Sequence, residues 1–189
     1  MSSGALRVPE AVWAGPARIG PLRLTVANSS VRFAVRFLRV FTIRGSFGDV
    51  EGELTFDEAR LAATSLIARV PVSSVQTGNR LRDAHLRSSA WFDAKQYSHI
   101  ELRAVRAECS SHEMRVVGAM TIRGREAPVV MRCVTRSAAG IPVELVGRFM
   151  IPRSPYGVGP PPYGIAPWDP RAYLVDDGVN VELRLRLDQ

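Results

Sequence analysis

Cysteine is nearly absent from this chain. Cys109 and Cys133 are the whole complement, with no CxxC and no histidine at metal-site spacing beside them. That pattern speaks against a disulfide framework or a zinc site, and two free, buried thiols in a reducing compartment are expected. Long hydrophobic runs are missing as well: nowhere do about eighteen apolar residues follow one another, which excludes a membrane-spanning helix. The opening residues, MSSGALRVPEAVWAG, lack a basic start with a long apolar run behind it and carry no lipidation signal. A cytoplasmic location is the resulting expectation. Catalytic signatures are absent too, with no nucleophile elbow, P-loop or GxGxxG. Asp83 and His85 stand two apart, which on a helix is not one face, so His85 reads as a tie between helix and body. His99 and His112 are isolated, and neither a metal nor a catalytic residue is expected.

What the chain does have is enough apolar material for one core: 189 residues, 46% hydrophobic. The net charge is +7, most of it from arginine, which favours weak attraction to anionic lipid, acidic protein or nucleic acid without choosing among them. Residues 1–21 mix Pro, Gly and small side chains and read as an N-terminal arm that Trp13 pins to the body. Residues 22–189 read as a single domain carrying a Pro-rich loop at 152–172.

Period-two alternation dominates that domain. Leu22, Leu24 and Val26 alternate with Arg23 and Thr25, and Asn28, Ser29 and Ser30 read as a turn. Val31, Phe33, Val35 and Phe37 then share one face, with Arg32 and Arg36 on the other. Val50, Gly52, Leu54 and Phe56 alternate with Glu51 and Glu53, so arginines of one strand are expected to face glutamates of the next. Leu66, Ala68 and Val70 follow, with Pro71 marking an edge or bulge. Further registers run through Ile100 and Leu102, through Met114, Val116, Gly118 and Met120, through Val129, Met131 and Cys133, through Val143 to Ile151, and through Val179 to Leu187. This is eight or nine strands joined by short turns, without crossover helices, and the candidates are a sandwich or a closed antiparallel barrel. Mid-strand Gly52, Gly118 and Gly147 favour the barrel, whose curvature uses such glycines. The segment IPRSPYGVGPPPYGIAPWDPRAY, which begins at Ile151, cannot be an ordinary connection, for it holds seven of the thirteen prolines. It reads as a lid or rim, with Tyr156, Tyr163 and Trp168 as an alternative docking surface for a partner protein.

One island breaks the alternation, SSVQTGNRLRDAHLRSSAWFDAKQY from Ser73 to Tyr97. Thr77, Gly78 and Asn79 form a turn able to cap a helix starting near Arg80, with Leu81, Ala84 and Leu86 as its apolar contacts and Trp91–Phe92 diving inward. It reads as a plug for one end of a barrel.

TGNRLRDAHLRSSAWFDAKQYSHI closely resembles the signature of the YceI-like family. Phe33, Val35, Gly45 and Phe47 are similar to that family's opening strand, GAMTIRGREAPVVM to its Gly-x-Leu-Thr-Ile-x-Gly hairpin, and Ile151, Arg153 and Gly157 to its late Arg element. The resemblance implies an all-β fold, a single eight-stranded antiparallel lipocalin-like barrel with a short helical plug, in a bacterial isoprenoid-binding family. It implies an apolar tube lined by Phe33, Val35, Phe37, Leu54, Phe56, Met114, Met120 and Met131, with Leu86, Trp91 and Phe92 near one end. A polyisoprenoid, quinone or lipid-like molecule is the implied guest, and no cofactor beyond it is expected. A polar headgroup would look to Asn79, Arg80, Arg82, Arg87, Arg153 and Tyr156. Phe37, Ser98, Leu102 and Met120 depart from the family's usual His, Pro, Phe and Leu, and the Pro-rich insertion has no counterpart.

The function expected is therefore non-enzymatic binding, storage or transport of a long apolar molecule, with transient contact to an anionic membrane surface and a homodimer as possible associations. A ligand-free, stress-related protein-interaction scaffold is the alternative. A basic nucleic-acid-binding barrel ranks below it, because the phenylalanines alternate away from the arginines and nucleic-acid binding needs exposed stacking rings among the cations.

Overall fold

The computed structural model describes residues 22–56, 65–110, 113–138, 141–160 and 174–188. The arm, Trp13, His112, Tyr163 and Trp168 lie outside them. Eight strands follow one another around a closed antiparallel barrel: β1 (Leu22–Phe37), β2 (Phe41–Phe56), β3 (Ser65–Pro71), β4 (His99–Ser110), β5 (Glu113–Ile122), β6 (Arg125–Ala138), β7 (Ile141–Pro152) and β8 (Val175–Asp188). β8 pairs back on β1, Val35 opposite Val179, which closes the ring. The helix α1 (Arg80–Arg87) sits in the β3–β4 connection.

The expected turn at Asn28–Ser30 is instead a bulge inside one continuous 16-residue strand. Register slips between Val26 and Val31, and buried Ser29 accepts the Arg186 N–H at 2.8 Å. Residues that make turns also make bulges, since both ask for a local departure from the pleat, and here the neighbours on either side kept the strand paired. The charge pairing expected between β1 and β2 also falls elsewhere. Arg32 stands opposite Ser46 on one side and Glu182 of β8 on the other.

Tight curvature explains two of the glycines. A Cβ on Gly52 would lie 2.0 Å from the Ile67 carbonyl oxygen, and one on Gly118 2.3 Å from that of Arg103. Both face alanines across the pair, Ala68 and Ala104, so backbone approaches backbone where the wall bends. Inside, the core side chains include Leu66, Met131 and Leu185, all essentially fully buried. Each such side chain contributes about 1.5–3 kcal/mol relative to remaining in water.

The ladder is incomplete at two places at the end carrying α1: β6 pairs with β7 only from Arg132 to Ala138, which leaves Arg125–Met131 without β7 partners, and the β2–β3 seam is also partial. β2 pairs with β3 only from Glu51 to Thr55, and ahead of this Phe41–Val50 is held on its β1 side, with a single bridge from Ser46 to Gln76 on the other. α1 lies beside that unpaired stretch.

Candidate functional site

The plug is organised around Thr77. Asn79 caps α1, its side chain accepting the Arg82 N–H at 3.1 Å. Buried Asp83 accepts both the Thr77 N–H (2.9 Å) and the Thr77 hydroxyl (2.5 Å). Arg82 closes the loop, donating from Nε to Thr77 Oγ1 at 2.7 Å and from its terminal nitrogen to the Thr77 carbonyl at 2.9 Å. These bonds fix which face of α1 turns inward: of the three apolar contacts expected from spacing, Leu86 is on it and Leu81 and Ala84 are not. Leu81 is 85% exposed and Ala84 is exposed, while Asp83 and half-buried Leu86 face the barrel. Beyond the helix, Trp91 meets His85 edge-on at 5.9 Å and Phe92 meets Phe47 edge-on at 5.6 Å.

Under this plug lies an apolar cavity of about 120 Å³. Its wall includes Phe33, Val35, Leu86, Trp91, Phe92 and Met120 from the expected tube, together with Phe47, Phe149, Ile151 and Val179. A second hollow of about 500 Å³ adjoins it, bounded by Phe37, Ile43, Arg82, His85, Pro160 and Leu174. Phe33, Val35, Leu86, Trp91 and Val175 line both, so they form the partition between an inner chamber and a vestibule beside α1.

The continuous tube expected from the inward registers is thus shortened. Leu54, Met114 and Met131 project inward, but they pack in the half of the barrel away from the plug and line neither hollow. Met131, with no exposed surface, fills space that a guest would need. The side chain of Phe56 lies outside the described residues.

The arginines expected to meet a headgroup are mostly committed elsewhere. Arg82 holds the Thr77 turn, and Arg87 reaches the Ser73 and Val75 carbonyls at 3.5 Å. Arg80 is exposed, Asn79 is the helix cap, and neither lines a hollow. Arg153 does line the chamber, yet it is 4% exposed and donates to the carbonyls of Asp176 (3.0 Å), Val158 (2.8 Å), Val175 (2.8 Å) and Pro160. Four of its five N–H groups are therefore taken. Burial pushes its guanidinium below the usual range. Tyr156 stands apart: it lines the same chamber, is 1% exposed, and its hydroxyl has no hydrogen-bond partner among the described residues. Burial raises its phenol above the ordinary value.

The first part of the Pro-rich segment is wall rather than lid. Tyr156 and Val158 are buried in the chamber lining, tied down by Arg153 and by Arg123, which donates to the Gly157 carbonyl. Residues 161–173 lie outside the described residues. Sequence reasoning passed over Phe47, Phe149, Ile151 and Val179 as site residues because alternation marks an inward face without saying which end of each strand meets the plug. Across the outer wall, arginines meet carboxylates: Glu101 accepts from Arg69 and Arg103, both at 2.7 Å, which holds its carboxyl below the usual range, and Glu182 accepts from Arg148 at 2.9 Å. No helix among the described residues is long and apolar enough to cross a membrane.

Fold and site together define a lipocalin-like closed barrel with a hollow, apolar interior at its plugged end. Residues 22–187 match the YceI-like domain, and the chain belongs to the YceI-like family. It is 30% identical over 106 residues to a UPF0312 protein of Vibrio cholerae, covering 56% of each chain. Protein YceI of Escherichia coli O157:H7 is 29% identical over 104 residues, 55% of this chain and 54% of that one. The match thus spans about half the length of these relatives. Among solved structures, BcnA of Burkholderia cenocepacia superposes with a TM-score of 0.71 at 21% identity, covering 85% of this chain and 96% of its own. A domain from Saccharophagus degradans, described as polyisoprenoid binding, gives a TM-score of 0.62 at 16% identity over 87% of this chain and 97% of that one. These two likenesses bear on the fold alone.

Proposed function

We propose that this protein is a non-enzymatic container that takes up, holds and releases a long apolar molecule ending in a neutral polar head, such as a prenol or prenyl quinone. The observation carrying this reading is the chamber under the plug, whose described wall is hydrocarbon apart from Arg153, Tyr156, the Trp91 indole and the Met120 thioether. A cavity of about 120 Å³ is of the size that accepts a benzene-like group, so a longer guest continues through the partition into the vestibule. Met120 at the chamber wall suits this, because an unbranched thioether changes shape at little cost. Burying the tail yields on the order of 0.8 kcal/mol per CH2 equivalent before ordering costs.

Head chemistry follows from what is uncommitted. A phosphate needs a cation to offset its desolvation, and Arg153, the cation among the described residues of the chamber wall, is largely engaged by backbone carbonyls. The Tyr156 hydroxyl is available to donate to a carbonyl or hydroxyl on the guest. Native mass spectrometry after mild purification, with organic extraction, tests the reading directly. Geranylgeraniol, a prenyl quinone and a polyprenyl phosphate are each offered in detergent, and the first two should be retained. Bare protein throughout would defeat the container reading, and a preference for the phosphate would defeat the neutral head.

A further inference from the structure

At the plugged end of the barrel, apolar side chains stand in water beside arginines. Nine large hydrophobic residues are exposed among those described, and five belong to this end: Leu38, Val40, Phe41, Leu81 and Leu174. Three form the tip of the β1–β2 hairpin, where Val40 is 79% and Phe41 59% exposed. Leu174 joins them through its carbonyl, which accepts the Leu38 N–H at 2.8 Å. From Leu22 to Gly48 there is no carboxylate, while Arg36, Arg39 and Arg44 flank the tip.

The turn itself is costly in backbone terms. Leu38 and Arg39 both have positive φ, 52° and 58°, in a turn closed by Val40 N–H to the Phe37 carbonyl at 3.3 Å. Two consecutive positive φ values at a hairpin tip are the pattern for which Asn-Gly is the comfortable choice. A leucine and an arginine there give up backbone ease and supply an apolar and a cationic side chain at the outermost point.

We infer that this rim docks on an anionic lipid bilayer, the hairpin tip entering the interfacial layer and the arginines meeting acidic headgroups. Apolar side chains ringed by arginine, with no carboxylate on the hairpin, complement such a surface in both charge and hydrophobicity. A second copy fits less well, because a two-fold dimer across this end would set Arg36, Arg39 and Arg44 against the same residues. The vestibule is continuous with the rim through Phe37, Ile43 and Leu174, so a docked molecule turns its opening toward the lipid. That role in exchange rests on the container reading above, whereas docking is measured without any guest.

The test is flotation of the full chain with vesicles of phosphatidylcholine alone or mixed three to one with phosphatidylglycerol, at low and high salt. Binding should require the anionic lipid and weaken with salt. The double substitution Val40→Ser and Phe41→Ser, and separately Arg36→Gln with Arg39→Gln, should each lower partitioning by roughly tenfold. Met150→Ser, which removes an equally exposed side chain from the outer wall, should change nothing. Circular dichroism establishes that each variant folds. Absence of binding to anionic vesicles overturns docking, as does binding that the rim variants leave intact. So does a wild-type dimer in sedimentation that the Val40→Ser, Phe41→Ser variant abolishes, since the rim would then be covered by a second copy. Uptake of geranylgeraniol from detergent keeps the two readings apart: its persistence in a protein that ignores vesicles sinks docking alone, and its absence in one that binds them sinks the container alone.

Discussion

Asp83 of α1 takes both hydrogen-bond donors of Thr77, six positions earlier in the chain, the amide at 2.9 Å and the hydroxyl at 2.5 Å. This clamp sets the orientation of α1, and through it the positions of Leu86 and Trp91 in the partition between chamber and vestibule.

Asp83→Ala should therefore lower unfolding free energy by about 1–3 kcal/mol, the cost of leaving buried donors unmet. Urea denaturation followed by tryptophan fluorescence measures it. Thr77→Val should cost a similar amount, and the double variant should fall well short of the sum, since both changes remove the same bonds.

Arg153 joins β7, the Tyr156 turn and the start of β8 by donating to four carbonyls. Arg153→Met keeps the bulk but strands those carbonyls, and about 3–5 kcal/mol of stability should be lost. Hydrogen exchange should rise at Val158 and Gly157 before it rises in the strands; uniform acceleration would show that the tie is not local.

Tyr156→Phe should behave in the opposite way. It deletes a buried hydroxyl that has no partner among the described residues, so stability should hold or increase by up to about 1 kcal/mol. Retention of a prenyl quinone should fall by about tenfold, roughly one hydrogen bond's worth, while retention of squalene stays level. Equal losses for both guests would remove Tyr156 from any role at the head.

Cys133 gives a pH prediction. Burial pushes its thiol from 9.0 up to about 12. The folded state thus favours the protonated form more strongly than the unfolded chain does. The contribution is complete below about pH 9 and declines as pH rises toward 12, by at most about 1.4 kcal/mol per pH unit. Urea midpoints of wild type and Cys133→Ala between pH 8 and 11 should converge as pH increases. Parallel curves would show the thiol to be accessible in the native barrel.

The strand registers were legible because alternation between core and solvent is written residue by residue, and Gly52 and Gly118 announced the bends. The Ser29 bulge was not, since bulge and turn draw on the same residues and only the pairing with β8 and β2 decides between them. Leu81 was assigned to the wrong face of α1 for a related reason. Spacing proposed an apolar face, but the Thr77–Asp83 bonds, between a loop and a polar side chain, set the rotation. The arginines misled most: a cation in sequence offers no sign of whether backbone carbonyls have already claimed it, and Arg82 and Arg153 are both claimed.

The unpaired edge of β2 between Phe41 and Val50 has a mechanical consequence. A fully laddered cylinder has a fixed circumference, and swelling it means rupturing main-chain bonds along a whole seam. Here the Ser46–Gln76 bridge is the one backbone pairing across the gap among the described residues, helped by the Ser74 hydroxyl donating to the Gly48 carbonyl at 3.1 Å and by the Phe47–Phe92 ring contact. The girth at the plugged end can thus adjust to the thickness of whatever is inside, here and at the β6–β7 seam, whose ladder stops at Arg132, while the continuous ladders stay shut.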